Sequence, residues 1–194
     1  MDKISLTDEE LILAFQDGDR DAFNHIVERY KDKLTNFLYR FTYDINSAQD
    51  LAQDTLLKVY INKDSYREIA KFSTWVYTIA SNLAKTELRK IKRRKTYTIS
   101  DLSTDDREFV IHQPDSGSFE DEEDTLVSGK ILQKCLNELD DEFKNIIILR
   151  DIQELSYDEI SKILKIPLGT VKSRINRGRF KLKDLLKEKG VVLY

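Results

Sequence analysis

The most informative part of the chain is residues 156–182, which read SYDEISKILKIPLGTVKSRINRGRFKL. Ser156 followed three residues later by Glu159 is the capping-box pattern that begins a helix. Pro167 cannot continue that helix, but its fixed backbone suits the start of the next one. The segment therefore predicts two short helices joined by a tight turn, which is a helix-turn-helix.

The second helix of this motif is basic and amphipathic. Its apolar side holds Val171, Ile175 and Leu182, with Gly178 beside them where two helices can approach closely. Its polar side holds Ser173, Asn176 and Arg177, flanked by Lys172 and Arg174. A helix fills the major groove of DNA, where arginine and lysine donate to guanine and asparagine pairs with adenine. The pattern favours a reader of duplex DNA, and the alternative is a solvated basic helix of a small bundle.

Composition excludes several classes of protein. The 194 residues include nine Tyr and nine Phe, which is too apolar for a disordered chain, and no apolar run reaches the length of a membrane helix. One cysteine, Cys135, excludes an internal disulfide framework and a multi-cysteine metal site, and we expect it to be buried. We therefore expect a reduced, soluble, cytoplasmic protein without a metal site or direct membrane insertion.

Upstream of the motif, helix signals follow one another. Thr7 begins a second capping box, Asp19 precedes a long apolar stripe at helical spacing, and the segment Ser47–Asp50 looks like a third helix start. A fourth helix is predicted from Phe72 to about Lys95. Only two Pro and six Gly occur in the chain, and no hairpin signal is present. The sequence predicts an all-α protein.

Residues 97–128 lack this periodicity. They contain five serines and ten acidic residues against a single arginine, a composition typical of a flexible acidic linker. A structureless loop this long is improbable inside one compact domain. We expect two small helical domains, at residues 1–96 and 126–194, joined by a linker at 97–125.

The predicted fourth helix combines aromatic and basic residues. Its aromatic residues are Phe72, Trp75 and Tyr77, and its polar and basic stripe is Thr78, Asn82, Lys85, Arg89 and Lys92. Cations that follow phosphates and rings that stack on bases suit single-stranded or melted DNA. The equally open alternative is that the rings are core residues and the cations solvate a helix end.

Together these segments resemble the extracytoplasmic-function (ECF, group 4) sigma factors of the sigma-70 family of bacterial RNA polymerase. The resemblance rests on DLAQDTLLKVY at residues 50–60, FSTWVYTIA at 72–80, LSYDEI at 155–160 and PLGTVKSR at 167–174. The first two segments are similar to sigma region 2 and the last two to region 4, in the family's order. The resemblance implies a region 2-like bundle and a region 4-like helix-turn-helix domain.

The resemblance also implies roles for individual residues. The face that docks on the polymerase would be Asp50, Gln53, Asp54 and Leu57. The melted −10 strand would be read by Lys71, Phe72, Ser73, Tyr77 and Asn82, and phosphates would be held by Arg89, Lys92, Arg93 and Arg94. The −35 duplex would be read by Thr170, Lys172, Ser173, Arg174 and Arg177.

The partners implied by the resemblance are the polymerase core, promoter DNA and an anti-sigma factor. The core would be bound through the clamp helices of its largest subunit and through its flap, and the linker would run towards the active-site cleft or serve only as a tether. The implied function is to direct the core polymerase to promoters and to promote DNA melting without ATP, since trapping flipped bases offsets the cost of unpairing. The resemblance thus implies a dissociable subunit that is not an enzyme and has no cofactor.

Two rival functions fit parts of the sequence. An autonomous regulator would bind duplex DNA through residues 156–182 and use the N-terminal domain as a sensor or dimeriser. A metal-dependent hydrolase would use the acidic residues at 120–124, although a contiguous acidic run lacks the spacing of a folded catalytic site.

Overall fold

The computed structural model describes residues 5–101 and 123–191 of the chain, with side chains described outside residues 95–128. Within these ranges all regular secondary structure is helical, which confirms the all-α prediction. The α-helices are α1 (Asp8–Gln16), α2 (Arg20–Thr42), α3 (Ile45–Ile61), α4 (Phe72–Asp101), α5 (Glu123–Glu138), α6 (Asp141–Ile147), α7 (Tyr157–Leu164) and α8 (Leu168–Glu188). A 3-10 turn at Lys63–Ser65 follows α3, and a π-helical segment at Ile148–Ile152 continues α6. Helices α1–α4 form an N-terminal body and α5–α8 a C-terminal body.

The first two helices begin where the sequence predicts. Thr7 Oγ1 accepts a hydrogen bond from the Glu10 N–H at 3.2 Å, and the Glu10 carboxylate accepts from the Thr7 N–H at 2.7 Å. Asp19 caps α2 by accepting from the Asp21 N–H at 3.1 Å. Both caps satisfy backbone donors that have no partner inside the helix.

Helix α3 begins earlier than predicted, so the expectation of a start at Ser47–Asp50 is wrong. The N-cap is Asp44, whose carboxylate accepts from the Ser47 N–H at 2.8 Å. Tyr43 adopts the left-handed conformation (φ 59°) and ends α2 immediately before it. The chain therefore reverses over two residues, and Ser47 supplies a backbone donor to the cap.

The core of the N-terminal body lies around α2. Leu34, Phe37 and Leu38 are fully buried, and the ring of Phe37 meets Phe41 and Tyr77 at centroid distances of 5.1 and 5.2 Å. Such edge contacts between rings add to the stabilisation from buried apolar area. The packing fixes α4 against α2 and so sets the direction in which α4 presents its side chains.

The C-terminal body contains the predicted helix-turn-helix. Ser156 Oγ accepts from the Glu159 N–H at 3.3 Å and the Glu159 carboxylate accepts from the Ser156 N–H at 2.8 Å, which confirms the capping box of α7. At Gly178 of α8 a Cβ atom would lie 3.0 Å from Cγ1 of Ile147. The close approach expected at this glycine is therefore present. Cys135 is buried, as predicted.

The two bodies contact each other. Helix α4 packs against α7, and α2 packs against α5 and the π-helical segment. Helix α4 continues to Asp101 and α5 begins at Glu123, so both enter the predicted linker. The remainder of that linker, residues 102–122, lies outside the described residues, and the domain boundaries stay predictions.

Candidate nucleic-acid and partner interfaces

Helix α8 is held so that one face points outward. Lys165 ends α7 in the left-handed conformation, and Ser161 Oγ donates to the Ile166 carbonyl at 2.6 Å across the turn. Val171 and Ile175 are fully buried beneath α8. The opposite face must therefore face solvent.

The predicted −35 residues fall into two groups on this helix. Lys172 and Arg177 are exposed, as is Asn176 one position earlier, which the sequence places on the same polar side. Arg174 is only half exposed and pairs with Glu142 of α6 at 2.7 Å.

The two remaining −35 candidates are engaged with each other. Ser173 Oγ donates to the Thr170 carbonyl at 3.1 Å, within the first turns of α8. In this conformation the outward side chains at the centre of the helix are therefore Lys172, Asn176 and Arg177.

Part of the basic C-terminal segment is neutralised inside its own body. Arg179 donates two hydrogen bonds to the Asp151 carboxylate, from Nε at 3.1 Å and from Nη2 at a shorter distance. Lys181 pairs with Asp140 at 2.7 Å and Lys189 with Glu138 at 2.9 Å. These cations fasten α8 to α5, α6 and the π-helical segment, a role that sequence spacing alone does not distinguish from phosphate binding.

The start of α4 lies in an aromatic cluster that belongs to the core. The Phe72 ring is fully buried, with ring centroids 5.5 Å from Tyr30, 5.7 Å from Tyr66 and 5.9 Å from Trp75. The Phe72 N–H donates to Glu9 Oε1 at 2.8 Å, which fixes the first turn on α1. Phe72 therefore cannot meet a base in this conformation.

Two other predicted −10 residues are engaged by the C-terminal body. Tyr77 is 4% exposed, and its hydroxyl donates to Oε1 of Gln153. Burial raises the pKa of Tyr77 to about 12. Lys71 pairs with Glu159 of α7 at 3.2 Å.

Further along α4 the predicted residues are mostly open. Ser73 is half buried, whereas the residues exposed to solvent are Asn82, Arg89, Lys92, Arg93 and Arg94. Lys92 also reaches across to Asp141 of α6 at 2.6 Å. The basic end of α4 is thus accessible while its aromatic start is covered.

A cavity of about 260 Å³ lies between the two bodies. Its lining includes Lys85 and Arg89 of α4 together with Glu142 and Arg174 of the C-terminal body. Burial lowers the pKa of Lys85, and the charge of Arg89 lowers it further. The cavity brings together cations that the sequence assigns to two different DNA elements.

The predicted polymerase-docking residues form one exposed face of α3. Asp50, Gln53 and Asp54 are exposed, and the Leu57 side chain is 55% exposed beside them. Tyr60 and Ile61 extend the face with side chains 44% and 66% exposed. An acidic edge beside exposed apolar side chains is typical of a protein-binding surface.

The structure also holds residues that the sequence reasoning missed. Lys144 of α6 is 3% exposed, and its Nζ donates to the Tyr43 hydroxyl at 2.6 Å. Burial lowers the pKa of Lys144 to about 8. No sequence signal marks the lysine, because Tyr43 lies about a hundred positions away in the chain.

The described residues give no support to a metal site. Among residues 5–101 and 123–191 no group of three or more His, Cys, Asp or Glu side chains is arranged to hold a metal ion. The acidic run at 120–124 proposed for a hydrolase falls on residues whose side chains are not described. In the same described part of the chain, no helix is long and apolar enough to cross a membrane.

Comparison with known proteins identifies both bodies. The family model described as Sigma-70 region 2 matches residues 26–94, and the one described as Sigma-70, region 4 matches residues 129–182. The ECF RNA polymerase sigma factor SigW of Bacillus subtilis is 38% identical over 88% of this chain and 92% of its own.

Solved structures share the fold. CnrH, in complex with the cytosolic domain of CnrY, aligns with a TM-score of 0.71 at 21% identity, over 93% of this chain and 97% of its own. The sigma factor RpoE of Bartonella quintana, in complex with the anti-sigma factor NepR, aligns with a TM-score of 0.62 at 27% identity. That alignment covers 85% of this chain and 96% of RpoE.

Proposed function

Because this chain belongs to the ECF sigma factors of the sigma-70 family and acts in transcription initiation by RNA polymerase, we propose a division of labour among α3, α4 and α8. Helix α3 docks on the core polymerase, α4 captures the melted −10 strand, and α8 reads the −35 duplex. The chain is a dissociable DNA-binding subunit without catalytic activity, and it works in the cytoplasm. The observation that carries the proposal is the placement of three exposed faces on three helices of two bodies.

The docking proposal rests on the exposed face of α3. Asp50 and Asp54 lie one turn apart, and Leu57 continues the same row. A core-binding surface that combines an apolar centre with charged neighbours gains affinity from burial and orientation from charge. The clamp helices of the largest subunit are the proposed partner of this face, and the flap is the proposed partner of the C-terminal body.

The −35 proposal rests on the outward face of α8. Lys172, Asn176 and Arg177 are exposed on a helix that is fastened to its body by buried apolar residues and ion pairs. Rigid presentation of a few donors is what base readout in the major groove requires. Arg174 and Ser173 join this readout if DNA displaces their present contacts.

The −10 proposal rests on α4. Asn82 is exposed at mid-helix, and Arg89, Lys92, Arg93 and Arg94 follow it as a run of exposed cations. Base-specific capture at Asn82 with phosphate binding beyond it fits a single strand that runs along the helix. Tyr77, whose hydroxyl is held by Gln153, takes part only after the bodies separate. Phe72 lies in the core of the N-terminal body and supports the first turn of α4.

An anti-sigma factor is a further proposed partner. The similar sigma factor RpoE is seen in complex with the anti-sigma factor NepR, and CnrH, which shares the fold, is seen in complex with the cytosolic domain of CnrY. A membrane-bound inhibitor would hold this chain at the membrane.

Transcription in vitro with purified core polymerase and a promoter library tests the proposed function. We expect promoter-specific transcripts that require both the chain and the core. Tight binding to a palindrome without polymerase would instead support an autonomous regulator, and metal-dependent hydrolysis by the chain alone would support the hydrolase.

A further inference from the structure

We propose that the free chain is held closed by a latch, which we define as Lys144 of α6 seated against Phe41 and Tyr43 of the N-terminal body. Closure withholds Tyr77 and Lys71 from a melted strand until the bodies separate on the polymerase. This consequence rests on the proposed function, whereas the latch itself does not.

The geometry of the latch is specific. Lys144 Nζ lies 2.6 Å from the Tyr43 hydroxyl and 3.3 Å from Oδ1 of Asn137. The same nitrogen stands 4.6 Å from the centroid of the Tyr43 ring and 5.5 Å from that of Phe41. Lysine is rarely buried without partners, because desolvation disfavours its charge. Two of the three side chains that compensate Lys144 here belong to the other body.

Further polar contacts surround the latch. Arg40 Nη1 donates to Oε1 of Gln133 at 2.7 Å, and Gln133 Nε2 donates back to the Arg40 carbonyl at 3.4 Å. Lys92 and Asp141 pair at 2.6 Å on the neighbouring surface. These bonds link residues at the end of α2 and on α4 to α5 and α6, so the closed arrangement has defined partners.

Two buried hydroxyls of α4 lie on the same side of the helix as Tyr77. Thr74 and Ser81 are 4% and 0% exposed, and their hydroxyl oxygens have no hydrogen-bond partner. They lie three positions before and four positions after Tyr77, which places all three on one side of the helix. An unsatisfied buried polar group costs stability, so these hydroxyls favour a state in which this side of α4 meets water.

Closure covers part of the proposed −10 reader. The Tyr77 hydroxyl is held by Gln153, the Lys71 ammonium by Glu159, and Arg89 lines the cavity between the bodies. Asn82 and the exposed cations beyond it stay accessible. A closed chain therefore offers phosphate contacts, while Tyr77 and Lys71 are engaged by the other body.

Zero-length cross-linking tests the closed state in the free full-length chain. A water-soluble carbodiimide joins an amine to a carboxylate without a spacer, and mass spectrometry identifies the joined peptides. We expect links between Lys71 and Glu159 and between Lys92 and Asp141. The pair Lys189–Glu138, at 2.9 Å within the C-terminal body, is the internal control. Addition of core polymerase should remove the links between bodies and keep the control link.

Two variants test the latch. Lys144→Ala removes the hydrogen bonds to Tyr43 and Asn137 and the packing on the two rings, and is expected to weaken closure about tenfold. Tyr43→Phe removes only the hydroxyl and is expected to weaken closure about threefold. Lys134→Ala, at an exposed lysine of α5, is the matched control. If closed and open chains are comparably populated, weaker closure in a variant appears as fewer links between the bodies. If the closed chain dominates, weaker closure appears as tighter binding of core polymerase. The reason is that the variant populates the open, binding-competent chain more, and apparent affinity rises with that population.

Two results would overturn the proposal. One is a free wild-type chain that forms the Lys189–Glu138 link and no link between the bodies. The other is a Lys144→Ala chain that keeps the control link and matches Lys134→Ala in both cross-linking and core affinity. The wild-type chain could also fail to support transcription with core polymerase while the free chain still forms the links between the bodies. That result would count against the proposed function and leave the latch standing.

Discussion

The two basic helices of this sigma factor meet their surroundings in opposite ways. Helix α8 is fastened by ion pairs within its own body and leaves Lys172 and Arg177 exposed. Helix α4 has its aromatic start buried, and the Tyr77 hydroxyl donates a hydrogen bond to Gln153 of the other body. The difference indicates that Lys172 and Arg177 can contact duplex DNA in this conformation, whereas Tyr77 becomes available to a melted strand only when the bodies part.

The largest expected effect concerns whether Phe72 is a core residue or a base reader. Phe72→Ala should lower the free energy of unfolding by about 3–5 kcal/mol, because the ring is fully buried among three others. Urea unfolding followed by the fluorescence of Trp75, the single tryptophan, measures it. The matched control is Phe180→Ala, whose ring is 70% exposed and which should stay within about 0.5 kcal/mol. A stable Phe72→Ala chain that fails only in promoter opening would assign the ring to base reading instead.

The contact between the bodies should also respond to pH. The pKa of Lys144 is lowered to about 8, mainly by burial, with the neighbouring Asp141 raising it and Lys92 lowering it. Above pH 8 the unfolded chain binds a proton at this lysine that the folded chain does not, so Lys144 makes the free energy of unfolding rise with pH, while the raised pKa of Cys135 opposes the rise. The slope is at most about 1.4 kcal/mol per pH unit, for a total of about 2 kcal/mol up to pH 10.

Near pH 10 the trend should reverse. Burial raises the pKa of Tyr43, so the folded chain keeps a proton there that an unfolded tyrosine loses. NMR titration of ¹³C-labelled lysines should show one resonance that titrates near pH 8 and disappears in Lys144→Ala. Persistence of that resonance in the variant would contradict the assignment.

A smaller effect is expected from the exposed face of α8. Arg177→Ala should weaken binding of the holoenzyme to a library-selected promoter by about 1–3 kcal/mol and relax base preference in the −35 element. Competition binding with single-base variants of that element measures both changes. Arg179→Ala is the matched control, since its guanidinium is engaged by Asp151. Equal loss of base preference in the two variants would remove Arg177 from the readout.

The smallest effect is expected at the open part of α4. Asn82→Ala should slow promoter opening about tenfold, close to 1.4 kcal/mol, because one hydrogen-bonding side chain is lost from strand capture. Duplex binding should change little, since α8 is untouched. Permanganate footprinting reports unpaired thymines directly, and a normal footprint in this variant would exclude Asn82 from strand capture.

The capping pattern predicted a helix start correctly where only one residue nearby could act as the N-cap. The capping boxes at Thr7 and Ser156 form as expected, since each involves residues only three apart. The start of α3 was predicted wrongly because Asp44 and Ser47 both offer a capping oxygen. The left-handed turn at Tyr43 decided in favour of Asp44. That turn depends on packing that the local pattern does not contain.

The candidate sites divide in the same way. The outward faces of α3 and α8 follow from periodicity, because the buried residues of a helix determine which others are exposed. The ambiguity over Phe72 and Tyr77 could not be resolved from periodicity, since an aromatic residue suits a core and a base-stacking surface equally well. Burial in the structure places both rings inside for the closed chain.

The sequence by itself determined the all-α class, the helix-turn-helix and the family, because these depend on spacing within a few turns of helix and on short motifs. Only the tertiary structure decided which cations are paired within a body and which residues join the two bodies. Lys144 and Tyr43 are about a hundred residues apart, and a buried lysine has no local signature. Its environment exists only once the two bodies have come together.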